Sequence, residues 1–227
     1  MQDRRRLLAA GLALPAVVTV PALPAAKPAE VTASEDLMRE HGVLRRILIV
    51  YDELAPKLRG QGGTVDTAAL RSLADLFRRF GEDYHEKILE EQNVFPRVRK
   101  LGGRAATLVD TLEQQHRRGR EIIDFISRTA AGGSIGTTQR ESLANALAGM
   151  VRMYNAHATW EDTVIFPAFH ESMDAREYEE LGERFEEIEK RQFGHDAFED
   201  ALKQVEQAQQ ALGIGDLGSF TAPVPRG

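Results

Sequence analysis

The sequence predicts an all-α protein: an up-down four-helix bundle with an additional C-terminal helix. Three observations carry this. Apolar residues recur at three- and four-residue steps through long stretches, and no segment alternates with period two for long enough to form a strand. Glycine-rich breaks divide those stretches into helix-length pieces joined by short loops. Each of the first four pieces carries one histidine on its apolar stripe: His41, His85, His116 and His157.

Thr32-Ala-Ser-Glu35 is a capping-box start. The first stripe is Leu37, His41, Leu44, Leu48, Tyr51 and Leu58, with Pro56 expected to kink or fray its end. Gly60 to Gly63 is a loop. The second helix starts near Asp66 or Thr67 and presents Leu70, Leu73, Phe77, Phe80/Gly81, Tyr84/His85 and Ile88. It passes Pro96 and stops at Gly102-Gly103. The third carries Leu108, Leu112, His116, Gly119, Ile123 and Ile126, ending at Gly132-Gly133. Thr138-Gln-Arg-Glu141 reads as a second capping box. The fourth carries Leu143, Leu147, Met150, Tyr154, His157, Glu161, Val164 and Ala168. A fifth helical stretch runs from Asp174 to Leu212, with Gly194 a candidate break. The domain reading is therefore a bundle over 34–171, a helical extension over 174–212 and a loose Gly/Pro-rich tail over 213–227.

Residues 1–26 read as a cleaved export signal: a basic start, an apolar run from Leu7 to Val20, then small residues at Ala22, Ala25 and Ala26. Arg4-Arg5-Arg6-Leu7-Leu8 resembles a twin-arginine signal, which predicts periplasmic export; a general secretory signal is the alternative. The run is too short and too proline-interrupted for a stable membrane span. A net charge of -6 argues against a nucleic-acid partner. The 227 residues contain no cysteine, which excludes thiolate metal sites, a cysteine nucleophile and disulfides. Any metal must be held by histidine and carboxylate, a donor set that suits iron, manganese or zinc.

Two imperfect copies of one motif carry the chemistry. The first is His85-Glu-Lys-Ile-Leu-Glu90-Glu91-Gln-Asn-Val-Phe95-Pro96, the second His157-Ala-Thr-Trp-Glu161-Asp162-Thr-Val-Ile-Phe166-Pro167. The acid-to-proline spacing is the same in both. His157 and Glu161 lie four residues apart, an advance of about 400°, and share one helix face. Buried imidazoles and carboxylates together need a cation to offset their desolvation. Histidines and inward glutamates on four helices make a two-metal carboxylate site.

The first copy is longer by one residue. His85 to Glu90 advances about 500°, leaving the acid about 140° off the histidine face. A π-bulge between them would absorb the extra residue; otherwise Glu86 or another acid serves.

The doubled motif resembles the hemerythrin-like (HHE cation-binding) family of non-haem di-iron four-helix bundles. Gln115-His116-Arg-Arg-Gly119-Arg120-Glu121 is similar to that family's third helix, and Phe193-Gly-His-Asp-Ala-Phe198-Glu to a segment that follows the bundle in some bacterial members. The resemblance implies metal ligands His41, His85, Glu90, His116, His157 and Glu161. They would hold two iron ions bridged by carboxylate and by oxo or hydroxo. Oxygen carriers of the family have a second histidine one turn after the third-helix ligand; here that position is Arg120. The resemblance therefore points toward bacterial members such as the repair-of-iron-centres proteins. It also favours reaction with a small ligand (dioxygen, peroxide or nitric oxide) over reversible carriage. Di-iron oxidoreductase activity and an unidentified redox partner go with that reading. A metal-binding or sensing module without turnover, loaded with another divalent metal, is the alternative.

Around the site, Glu91 and Asp162 read either as acids that orient ligand histidines or as solvated residues. Arg120 reads as a salt-bridge partner for an acid such as Glu86 or Glu121, or as solvated. Tyr51, Tyr84 and Tyr154 are expected to pack, with a hydrogen bond to a bound small ligand as the alternative. His170 and His195 are expected at the surface, and Trp160 in packing.

Overall fold

A computed structural model describes residues 31–60 and 64–225. The signal-peptide reading over 1–26 lies outside the described residues. Those residues form helices and no strands.

The first helix, α1 (Ala33–Arg59), starts at the expected capping box: the Thr32 hydroxyl accepts from the Glu35 N–H at 3.3 Å, and Glu35 accepts from the Thr32 N–H at 2.9 Å. The helix runs three residues past Pro56 instead of fraying there. The second rod is continuous. It consists of α2 (Thr67–Leu76), a π-helical segment π1 (Phe77–Val94) and α3 (Phe95–Leu101). Asp66 caps it, accepting from Ala69 N–H at 2.9 Å. Gly102 and Gly103, with φ of 73° and 68°, then reverse the chain into α4 (Gly103–Ala130). Only glycine takes two such left-handed residues in succession at little cost.

The fourth rod is α5 (Thr137–Trp160), a short π turn π2 (Glu161–Ile165) and α6 (Phe166–Glu171). It does not start at the Thr138–Glu141 capping box. Gln139 accepts from the Gly136 N–H at 3.0 Å, so the chain caps two residues earlier and leaves Glu141 to face Arg59. The C-terminal extension is two helices, α7 (Ala175–Phe193) and α8 (Phe198–Ala211). They separate at Gly194, whose left-handed φ of 81° ends α7. They pack on α1, and α8 also covers α2. The tail is less loose than expected at its start. Ile214 is buried, and the Gly213 carbonyl accepts from Lys57 Nζ at 3.1 Å.

The four rods enclose one core in which Phe77, Phe80, Phe95, Phe166 and Phe169 are fully buried. Each such side chain stabilises the fold by about 1.5–3 kcal/mol. The π turn explains a place in the fourth rod where the expected stripe fails. Val164 and Ala168 are only half-buried, while Ile165, Phe166 and Phe169 are buried. The wider turn after Glu161 rotates the inward face by one residue.

Candidate metal centre

Both Phe-Pro pairs mark the end of a π segment. The Phe95 N–H donates to Glu90 O and the Phe166 N–H to Glu161 O, five residues back. Proline follows in each case, and having no N–H it sits where the ladder returns to four-residue steps. The sequence suggested a bulge in the first copy only. The second copy contains one too, placed after its histidine–glutamate pair. In the first copy π geometry runs through the entire His85–Glu90 interval, so residues five apart face the same way. Glu90 therefore turns inward beside His85, while Glu86 takes another position.

The six expected residues meet at the centre of the bundle, each buried. His85 Nε2 lies 3.4 Å from Glu90 Oε1 and His116 Nε2 3.3 Å from Glu90 Oε2. His41 Nε2 and His157 Nε2 lie 3.3 and 3.0 Å from Glu161 Oε2. Each glutamate thus faces two imidazoles carried on different rods.

The outer nitrogen of every imidazole is tethered. His41 Nδ1 donates to Asp162 at 2.7 Å, His85 Nδ1 to Glu40 at 2.6 Å, His116 Nδ1 to Glu91 at 2.9 Å and His157 Nδ1 to Gln115 Oε1 at 2.9 Å. These oxygens only accept, so each Nδ1 carries a hydrogen and each Nε2 turns toward the centre. Glu91 and Asp162 are thereby orienting acids and not solvated ones. Glu40 and Gln115 were missed by sequence reasoning. The available signal was their shared place, immediately before His41 and His116.

The whole arrangement is pseudo-symmetric. In each half, the residue before the first-rod histidine tethers the second-rod histidine. The acid after each inner glutamate tethers the first-rod histidine of the other half. An arginine four residues after each first-rod histidine braces that acid: Arg45 with Asp162, and Arg120 with Glu91 at 2.8 Å. The phenylalanine of each Phe-Pro stacks on the same cross-half histidine, Phe95 on His116 at 5.5 Å and Phe166 on His41 at 5.4 Å between centroids.

This donor set fits a cation. His85 Nε2 and all four oxygens of Glu90 and Glu161 are buried without a hydrogen-bond partner. His116 Nε2 and His157 Nε2 face each other at 3.1 Å. Two imidazole lone pairs at that distance repel unless a proton or a metal lies between the groups. Buried orphan acceptors of this kind cost free energy that a divalent ion offsets. Protons are the competing occupants. Burial disfavours charge on His85 and His116, but the neighbouring carboxylates outweigh it and raise both pKa values well above the ordinary range. Burial likewise opposes the Glu90 anion, which His85 and His116 nonetheless hold well below the usual carboxylate range.

Among the described residues, Glu90, His116, His157 and Glu161 form one group able to hold a metal, and His41, His85 and Glu90 form another. A cavity of about 10 Å³, at the lower limit of what holds one water, adjoins them. His41, Arg45, His85, Glu86, Tyr154 and His157 are its polar lining, and Leu44, Leu48 and Ala158 its apolar lining. The Tyr154 hydroxyl donates to Glu86 Oε1 at 2.6 Å and not toward the glutamate pair. Arg120 meets Glu86 and Glu91, not Glu121. Tyr51 and Tyr84 are fully buried in the core. His170 stacks on Tyr178 and His195 pairs with Asp200 at the surface, both away from the centre. Trp160 is 40% exposed, with the Arg104 guanidinium 5.1 Å over its ring. No helix among the described residues is long and apolar enough to cross a membrane.

Comparison with known proteins agrees with this geometry. The hemerythrin HHE cation binding domain matches the chain twice, over residues 32–134 and 107–220. An uncharacterized protein of Mycobacterium bovis is 41% identical over 192 residues, covering 84% of this chain and 74% of its own length. Uncharacterized proteins of two strains of Mycobacterium tuberculosis match to the same extent. No solved structure matches. The family match takes in all four histidines, both inner glutamates and the two Phe-Pro turns that aim them: the chain belongs to the hemerythrin HHE cation-binding family.

Proposed function

We propose that this chain is an exported non-haem di-iron protein that binds or reacts with a small ligand: dioxygen, peroxide or nitric oxide. The observation that carries the reading is the set of buried, inward-facing donors with no partner, beside a cavity at the lower limit of what holds one water. His41 and His85 would hold one ion, His116 and His157 the other, with Glu90 and Glu161 between them. Such a pair supplies Lewis acidity and a two-electron redox change. The protein's own part is to orient the imidazoles through Glu40, Glu91, Asp162 and Gln115, to exclude bulk water with Leu44, Leu48 and the stacked phenylalanines, and to limit ligand size. The Arg4–Leu8 pattern supports loading before export, because the twin-arginine route carries folded proteins.

Metal analysis with optical spectroscopy tests this. The expected result is close to two irons per chain and an absorption spectrum that changes with nitric oxide or peroxide. Glu161→Ala should lower both metal content and melting temperature, since binding free energy adds to folding free energy. Protein that stays colourless and redox-silent in air while binding zinc or manganese would replace this reading with a metal-binding or sensing module. Protein that takes up no divalent metal would refute both.

A further inference from the structure

One break in the pseudo-symmetry of the centre lies at the cavity wall. The residue after His85 is Glu86, whereas the residue after His157 is Ala158. Three residues before His157 stands Tyr154; the matching place before His85 is Glu82. Three residues after His116 stands Gly119; the matching place after His41 is Leu44. Tyr154 meets both Glu86 and Gly119. Tyr154 Oη donates to Glu86 Oε1 at 2.6 Å, Arg120 Nη2 reaches Glu86 Oε2 at 3.4 Å, and a Cβ at residue 119 would lie 2.0 Å from Tyr154 Oη. Only glycine lets the hydroxyl through.

Glu86 is a further buried carboxylate at the centre; like Glu40, and unlike Glu90 and Glu161, it does not face the imidazole Nε2 atoms. Its side chain nonetheless lines the cavity with His41, His85 and His157, while its Oε2 lies 4.0 Å from the outer nitrogen of His116, Nδ1. An unrestrained carboxylate there is itself a ligand for a cation.

We propose that Tyr154 is a positioning residue which, passing over Gly119 and aided by Arg120, clamps Glu86 against the cavity wall and keeps it off the metal pair, so that the cavity stays free for an external ligand. This rests on the metal-centre reading above. Without the clamp, Glu86 closes the open side and the protein becomes a filled metal site that small ligands do not enter.

The test uses iron-loaded full-length protein and azide as the probe, titrated optically, with iron content measured on every sample. Wild type should bind azide. Tyr154→Phe should retain its iron and bind azide at least tenfold more weakly. Tyr154→Phe combined with Glu86→Gln should recover affinity to within threefold of wild type, because no carboxylate remains to intrude. Gly119→Ala should act like Tyr154→Phe by displacing the hydroxyl; if it fails to fold, the Tyr154 and Glu86 pair still decides the matter. A merely structural loss at Tyr154 would not be reversed by a second substitution, so failure of the double variant to recover overturns the clamp. So does an azide affinity within twofold of wild type in Tyr154→Phe, or a loaded wild type that binds no azide. A wild type that takes up no metal overturns the metal-centre reading as well, which separates the two failures.

Discussion

Glu40 offers a demanding test, because the sequence marks it only by its place immediately before His41, and the imidazole it tethers lies on another rod. Its Oε2 accepts from His85 Nδ1 at 2.6 Å, and the side chain is buried. Replacement by alanine leaves His85 free to rotate and removes a charge that makes the imidazole a better donor. Losing such an outer partner costs about 10- to 100-fold in metal affinity, equivalent to about 1.4–2.7 kcal/mol. A domain of this size shifts its melting temperature by about 2–4 °C per kcal/mol. The metal-dependent part of the shift should therefore be roughly 3–11 °C. Alanine also strands the His85 N–H, at a cost of about 1–3 kcal/mol whether or not metal is bound. The two effects separate when melts are run both with chelator and at fixed free metal, alongside a competition titration against a chromophoric chelator. Glu40→Gln, which keeps an acceptor but not the charge, should fall between alanine and wild type. An affinity for Glu40→Ala within twofold of wild type would mean that the tether does not orient a ligand.

Stripping the metal with a chelator should lower the melting temperature by about 8–16 °C when the reference sample holds free metal near a thousandfold above its dissociation constant, a linkage worth about 4 kcal/mol; calorimetry showing no change would refute binding at the core. In the metal-free protein, His85 and His116 are raised above an ordinary value of 6.5, so their contribution is complete below pH 6.5 and is lost as pH rises through the raised values. Glu90 and Glu161 are lowered from 4.5, so theirs is complete above pH 4.5 and lost on acidification. Thermal melts should accordingly peak between pH 4.5 and 6.5 without metal, with added metal removing the alkaline decline; a melting temperature that does not fall above pH 6.5 would contradict the carboxylate–imidazole arrangement. Phe95→Ala should cost about 3–5 kcal/mol as a buried cavity, and unlike Phe77→Ala it should also loosen metal binding, because Phe95 stacks on His116; equal metal affinity in the two variants would show the stacking to be packing alone.

The helices, the four histidines and Glu161 were legible because they follow from periodicity, whereas Glu90 rested on the family resemblance and the matched spacing. An amphipathic stripe fixes which side of a helix turns inward, and a histidine on that stripe turns inward with it. Glu90 lies at the limit of that periodicity. Ideal α geometry put it about 140° off the face, and only the matched spacing to Phe95-Pro96 hinted at a wider turn. The same hint in the second copy went unused, because His157 and Glu161 already agreed with an α-helix; the cost was a misplaced stripe at Val164 and Ala168. Glu40 and Gln115 were not legible, since a tether is a contact between rods and depends on their relative rotation. Gly119 was visible as a residue on the stripe, but its reason, a tyrosine hydroxyl from a different rod, belongs to tertiary packing.

The four tethers also differ in charge. Behind His41 and His85 stand two carboxylates, Asp162 and Glu40; behind His116 and His157 stand one carboxylate, Glu91, and the neutral amide of Gln115. The tethers alone thus place one more negative charge at the His41–His85 end, while Glu86, 4.0 Å from His116 Nδ1, adds a carboxylate at the other. With one arginine braced on each side, the charge around the two halves is divided evenly, and exchanging Gln115 for glutamate would tilt it toward the His116–His157 end.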